Sequence, residues 1–144
     1  MKSYLFLLYL IMWNMDSFSQ GNMDHASFNP QVAVQFVNDY IHTMDDEQVN
    51  TKTWIKNNPL LTKKFKSEYK KSLNNDFDPI LNAQDYPEKG FKIVNSESST
   101  GYVYLQGVDY DDFYITAKVV SENGKWLVDG CGIVNIPEDK RGKM

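Results

Sequence analysis

The spacing of the hydrophobic residues changes once along this chain, near residue 75, and this change constrains the fold more than any other feature. Before it, apolar side chains recur every three or four positions; after it, they alternate with polar side chains. The first spacing is that of a helix with one buried face, and the second is that of a strand with one buried face. Helices followed by sequential strands predict an α+β fold, with N-terminal helices packed on a curved antiparallel sheet of about four strands.

Three helices are predicted from the first spacing. The first begins at Asn29 and Pro30, because asparagine is a good N-cap and proline fits the first turn. Its apolar face consists of Val32, Ala33, Phe36, Val37, Tyr40, Ile41 and Met44. The second is predicted over about residues 46–56. It ends there because the residue before Pro59 is disfavoured in helical conformation, and the third helix is predicted over about residues 59–73.

Four strands are predicted from the second spacing, and short turns join them into an antiparallel meander. They cover residues 91–96, 102–106, 113–119 and 125–136. Asn123-Gly124 is typical of a tight hairpin turn between the last two strands. Gly130 and Gly132 predict that the last strand has a bulge or is approached closely by another backbone segment. We expect that segment to be a helix that crosses the strand.

The N-terminus has the pattern of a cleavable signal peptide. Lys2 precedes an uncharged apolar run of ten residues, and a small-x-small site follows at residues 17–19. A membrane span needs about 20 apolar residues, so we expect cleavage near Ser19-Gln20, a periplasmic or secreted protein, and no stable membrane span afterwards. An uncleaved anchor is the alternative. The predicted organisation is a signal peptide (1–19), a mature N-terminal tail (20–28), one domain (29–138) and a C-terminal tail (139–144).

Charge and reactive residues exclude several functions. The net charge of −4 argues against nucleic-acid binding, which needs a basic surface. His25 and His42 have no partner at ligand spacing, so we expect no metal and no cofactor. Cys131 is the only cysteine, so no intramolecular disulfide can form, and we expect it to be a buried packing residue. The acidic turn at residues 109–112 is expected to be solvated, with weak calcium binding as the alternative.

Residues 76–87 connect the helices to the sheet and mix apolar anchors with groups that can bond backbone amides. Among them we single out Asp78, Gln84 and Asp85 as candidate site residues. One interpretation is structural: the segment plugs the open end of the helix-covered sheet and satisfies free amides. The alternatives are that it lines a ligand site or supplies an acid or base. A calcium loop is not indicated, because the required glycine and distal glutamate are missing.

The phrase DPILNAQD at residues 78–85, followed by a meander that ends in GKWLVD at residues 124–129, resembles a family of exported bacterial domains of unknown function. The resemblance covers about residues 30–136 and implies an NTF2-like (cystatin-like) roll, with no established activity. Many members of that family are lipoproteins. This chain has no cysteine near the predicted cleavage site to accept a lipid, so we do not expect a lipid anchor.

Lysines are concentrated in residues 52–71, where seven of them accompany one glutamate. This segment therefore carries +6, and the rest of the chain carries −10. On the third helix the lysines cover the whole arc opposite the apolar residues, which is typical of a solvated face. Contact with an acidic partner or an anionic envelope surface is the alternative.

Aromatic and polar side chains share one face of two neighbouring predicted strands. Tyr102, Tyr104 and Gln106 lie on one strand, and Tyr114, Thr116 and Lys118 on the other. If helices do not cover this face, it is either a concave ligand or partner surface or the ordinary solvated side of an antiparallel sheet. The three tyrosines are therefore further candidate site residues.

Two hypotheses of function follow. The leading one is an exported, non-enzymatic binding module of a bacterial envelope, whose partner is an envelope protein or a small ligand. The competing one is a small envelope enzyme that uses Asp78, Asp85 or Asp129 as acid or base. The fold alone does not decide between them, because function depends on the site.

Overall fold

The computed structural model describes residues 27–142, which form an α+β fold with the helices preceding a four-stranded antiparallel sheet. The α-helices are α1 (Gln31–Asp45), α2 (Thr51–Asn57) and α3 (Lys63–Lys71), and the strands are β1 (Phe91–Ser96), β2 (Tyr102–Gly107), β3 (Tyr114–Glu122) and β4 (Lys125–Cys131). One short 3-10 helix, Ser72–Asn74, comes directly after α3, and another, Glu138–Lys140, comes after β4. The predicted fold class is confirmed. The predicted signal peptide, most of the predicted N-terminal tail and residues 143–144 lie outside the described residues.

Helix α1 forms where the sequence predicted it and supplies much of the core. The Asn29 side chain accepts a hydrogen bond from the Gln31 amide at 3.1 Å, as expected of a cap. Six of the seven predicted apolar residues are buried, and Met44 is half-buried against them. They pack on the inward side chains of the sheet, which include Val103, Leu105, Ile115, Ala117 and Val119.

The two shorter helices begin later than predicted, because their caps lie further along the chain. Helix α2 begins at Thr51, since the Asn50 side chain accepts from the Thr53 amide at 3.0 Å. Helix α3 begins at Lys63 rather than Pro59, since Thr62 caps it. After a turn at residues 59–60, Leu61 forms a parallel β-bridge with Val128, which donates to the Leu60 carbonyl at 2.7 Å and accepts from the Thr62 amide at 3.1 Å. This segment therefore covers the outer edge of β4.

The sheet runs in the order β1-β2-β3-β4, with every pair antiparallel. Asn123 and Gly124 have φ angles of 51° and 75°, as the predicted hairpin turn requires. The predicted bulge in the last strand is present, because Lys118 pairs with Gly130 while the next residue of β3 pairs with Val128, so Asp129 has no partner in the ladder. No helix of residues 27–142 is long and apolar enough to span a membrane.

The last strand ends at Cys131, five residues earlier than predicted, because the chain turns at Gly132. Gly132 has φ of +65°, and a Cβ atom there would lie 2.2 Å from the Ile80 carbonyl oxygen and 2.4 Å from that of Pro79. The Ile133 amide donates to the same Pro79 carbonyl at 2.9 Å. The predicted close approach is thus real, but the approaching backbone is the 76–87 segment and not a helix.

Candidate functional site

The tyrosine face lies on the side of the sheet away from the helices, and the chain itself covers much of it. Tyr102 pairs with Lys118, Tyr104 with Thr116 and Gln106 with Tyr114 across β2 and β3, so the predicted face is correctly assembled. However, Tyr102 and Tyr104 are only 9% and 8% exposed, and Thr116 is fully buried. The face is therefore neither an open concave surface nor an ordinary solvated side.

The cover is the segment after β4, which includes residues that the sequence placed in a C-terminal tail. Ile136 packs against Tyr102 and Tyr104, and the Thr116 hydroxyl donates to the Lys140 carbonyl at 2.6 Å. The Lys140 ammonium lies 5.6 Å from the centre of the Tyr102 ring, within the range of a cation–π contact. Tyr114 is half-exposed, and its hydroxyl accepts from the Gln106 side chain at 2.9 Å.

Asp78 is a structural residue of the 76–87 segment. Its carboxylate accepts hydrogen bonds from the Ile80 and Leu81 amides, both at 2.9 Å, and from the Tyr40 hydroxyl at 2.5 Å. Gln84 and Asp85 are exposed: the Gln84 side chain donates to the Asp76 carbonyl at 3.4 Å, and Asp85 accepts from the next amide along the chain. Each of the three predicted residues therefore bonds backbone of its own segment.

The carboxylate of Asp78 lies at the centre of a cluster of buried groups. Burial, and secondarily the charge of Asp78, raise the pKa of the Tyr40 hydroxyl far above its usual range. Burial likewise raises the pKa of Tyr69, whose hydroxyl interacts with that of Tyr40. Cys131 is free and completely buried, as predicted, and burial raises the pKa of its thiol, followed by the charge of Asp78. A thiol in these surroundings is a packing residue, because its nucleophilic thiolate is suppressed.

The other carboxylate of the enzyme hypothesis is also held by protein groups. Asp129 is 8% exposed and accepts hydrogen bonds from the Thr62 hydroxyl at 2.7 Å and the Asn135 side chain at 3.1 Å. Within residues 27–142, no cluster of three or more histidine, cysteine, aspartate or glutamate side chains is placed to hold a metal ion. His42 lies on the exposed face of α1, as the sequence indicated.

Two surface concavities formed by α2 and its neighbours lie outside the predicted site. The first, of about 430 Å³, lies between α2 and α3 and is named here the lysine groove. Its lining residues are Lys52, Thr53, Ile55, Lys56, Lys66, Tyr69, Lys70 and Leu73. The sequence located these lysines but not the groove, because the groove exists only once α2 and α3 pack side by side.

The second concavity, of about 750 Å³, is named here the amide trough. It lies between the exposed side of α1, the loop before α2 and the opposite side of α2. Its lining includes Gln35, Asp39, Gln48, Asn50, Trp54, Asn57 and Asn58. Sequence reasoning missed it, although the density of asparagine and glutamine on both sides of Trp54 was a signal that could have located it.

Comparisons with known proteins add no relative: no family model matches this sequence, and no curated protein or solved structure is significantly similar to it. The fold and surface define an α+β class of protein, with two concavities beside its second helix. The resemblance to exported domains with an NTF2-like roll stays a prediction.

Proposed function

We propose that this chain is an exported, non-enzymatic binding module of a bacterial envelope, with an NTF2-like roll, and that it binds an acidic segment of a partner protein in the lysine groove. The observation that carries the proposal is that the groove has four lysines and no carboxylate. None of Lys52, Lys56, Lys66 and Lys70 makes a salt bridge within residues 27–142, where the one ion pair joins Lys71 to Glu68.

The arrangement costs the fold stability, which supports a role in binding. Lys52 and Lys56 are four residues apart on α2, and Lys66 and Lys70 are four residues apart on α3. Like charges at this spacing destabilise a helix by about 0.2–0.5 kcal/mol per pair. Lysines at the start of α3 also oppose the helix dipole, and its first turn has no acidic residue. Carboxylates of a partner relieve this repulsion, so the relief contributes to the free energy of binding.

The floor of the groove indicates that the partner also supplies an apolar side chain. Ile55, Tyr69 and Leu73 form this floor, and the aliphatic stems of the lysines extend it. An acidic segment with one or two apolar residues therefore matches both the charge and the surface. A protein segment is favoured over an anionic bilayer. A bilayer is extended and would also be repelled by the net charge of −10 on the rest of the chain, whereas a short segment contacts only the groove.

The test uses a fluorescent probe peptide with four glutamates around a Leu-Phe pair. We expect it to bind the protein, and we expect Lys52→Glu/Lys56→Glu to weaken binding by about 20-fold or more, since each reversed lysine is worth about 1 kcal/mol. The matched control is Lys89→Glu/Lys92→Glu, which changes the net charge equally at two exposed lysines outside the groove.

Three outcomes would contradict the proposal. The first is equal loss of affinity in the groove variant and in the control, because the effect would then be one of net charge. The second is binding to vesicles of anionic lipid but not to the peptide. The third is a turnover that Asp85→Asn abolishes, which would favour the competing enzyme hypothesis. Envelope proteins captured by the wild type and the control, but not by the groove variant, identify the natural partner.

A further inference from the structure

The amide trough differs from the lysine groove in chemistry, although α2 contributes to both. Its lining carries one charged side chain, Asp39, together with five neutral amides, the Trp54 indole and the smaller or aliphatic side chains of Val49, Thr53, Pro59 and Leu60. The side chains of Gln35, Gln48 and Asn57 make no hydrogen bond to other described residues, so their donors and acceptors are available to a ligand. Asn50 uses its carbonyl oxygen to cap α2 and keeps its amino group free.

Trp54 gives the trough a fixed aromatic surface. Its ring stacks on Phe36 with a centroid distance of 6.0 Å and an angle of 18°, and it also contacts Tyr40 at 6.1 Å. These contacts hold the indole in one orientation, so little entropy is lost when a ligand binds it. The indole N–H has no acceptor among residues 27–142, and no buried side-chain nitrogen there lacks a partner, so this N–H is accessible.

An accessible aromatic surface surrounded by neutral amides matches one ligand chemistry well. The C–H face of a sugar ring packs on an aromatic side chain, and the ring hydroxyls both donate to and accept from amide groups. An anionic ligand is not matched, because the trough offers no positive side chain and its one charged side chain, Asp39, is negative. A volume of about 750 Å³ lies within the usual range for ligand sites, about 300–1,000 Å³.

The same lining indicates binding without cleavage. Glycoside hydrolysis by the usual mechanism needs two carboxyl groups, one on each side of the scissile bond. Asp39 is the one acidic residue that lines the trough within the described part of the chain. A sugar bound in the trough therefore has one carboxylate beside it, and the pair of carboxyl groups that cleavage requires is not provided by the lining.

We propose that the amide trough is a binding site for an uncharged oligosaccharide or polysaccharide segment, with Trp54 as the stacking platform and Gln35, Gln48 and Asn57 as hydroxyl-binding residues. This site is separate from the lysine groove and does not depend on what the groove binds. The domain then holds a glycan on one side of α2 and an acidic protein segment on the other.

The test is NMR of the ¹⁵N-labelled protein titrated with uncharged hexasaccharides of glucose, xylose, mannose and N-acetylglucosamine. The indole N–H signal of Trp54, assigned by its loss in Trp54→Phe, reports directly from the trough. We expect at least one sugar to shift this signal at submillimolar concentration. We expect the affinity to stay the same from about 50 to 500 mM NaCl, because neither ligand nor site relies on ion pairing.

Gln48→Ala and Asn57→Ala are the informative variants, because both side chains are exposed and neither supports the fold. Each is expected to bind the sugar about five- to tenfold more weakly, the loss expected for one or two hydrogen bonds. Asn74→Ala removes an exposed amide outside the trough and is expected to bind like the wild type. The proposal is overturned if no sugar shifts the Trp54 signal at about 10 mM, or if the trough variants bind as tightly as the control.

Discussion

Replacing Asp78 by alanine is expected to destabilise this domain strongly, because its carboxylate is the acceptor for three buried donors. The substitution leaves the Tyr40 hydroxyl and the Ile80 and Leu81 amides without their acceptor. All three residues are at most 1% exposed, so water cannot easily replace the carboxylate. A buried donor without a partner costs about 1–3 kcal/mol. Three such donors, with some relaxation, predict a loss of about 3–6 kcal/mol from a total stability of about 5–15 kcal/mol.

Urea unfolding followed by tryptophan fluorescence measures this loss, with Asp76→Ala as the matched control. Asp76 is an exposed aspartate two residues earlier, and its replacement is expected to change the free energy of unfolding by less than about 0.5 kcal/mol. Asp78→Asn keeps one acceptor oxygen for the two amides, so it is expected to lose only about 1–2 kcal/mol and to fold even if the alanine variant does not.

A double-mutant cycle tests the hydrogen bond between Tyr40 and Asp78. Tyr40→Phe removes the hydroxyl that donates to Asp78 and is expected to be destabilising in the wild type. In the Asp78→Ala background it is expected to cost little or to be favourable, because it removes a buried donor that already lacks its partner. Additive effects of the two substitutions would refute the proposed hydrogen bond, and so would an Asp78→Ala variant as stable as Asp76→Ala.

Two further predictions concern pH and backbone geometry. The raised pKa values of the Cys131 thiol and the Tyr40 hydroxyl mean that the unfolded chain loses these protons first. The stabilisation from Cys131 is therefore expected to fall above about pH 9 and that from Tyr40 above about pH 10, each by about 1.4 kcal/mol per pH unit. Urea unfolding at several pH values checks this, and Cys131→Ala is expected to move the onset of the fall toward pH 10; no change in onset would contradict it. Gly132→Ala is expected to cost at least about 2 kcal/mol more than Gly124→Ala, because both have positive φ but only Gly132 lies against other backbone. Equal unfolding midpoints for these two variants would contradict the packing described for Gly132.

The parts of the fold that the sequence could predict are those fixed by neighbouring residues. Helix α1 was predicted because Asn29 caps it locally and its apolar face repeats at helical spacing. The Asn123-Gly124 turn was predicted because the positive φ values it needs are a property of those two residues. The start of α3 was not predicted, because Leu61 is held in a β-bridge by Val128, which lies far along the chain.

The candidate site was harder to predict for the same reason. Strand alternation correctly placed Tyr102, Tyr104 and Tyr114 on one face of the sheet. What covers that face depends on the turn at Gly132, which sends Ile136 and Lys140 back across the strands. The lysine groove and the amide trough depend on how α2 packs against its neighbours, and no local pattern contains that information.

The link between α3 and β4 also sets when this chain can fold. Thr62 caps α3, pairs with Val128 and donates to Asp129, so a helix in the first half of the chain is completed by residues near its end. The core face of α1 likewise rests on strands that are made after it. During synthesis the three helices therefore lack their packing surface until residue 131 has been added. Folding of this domain therefore requires the chain through β4. A ribosome-bound fragment that stops before β4 is expected to stay unfolded, to bind chaperones and to be cleaved by proteases.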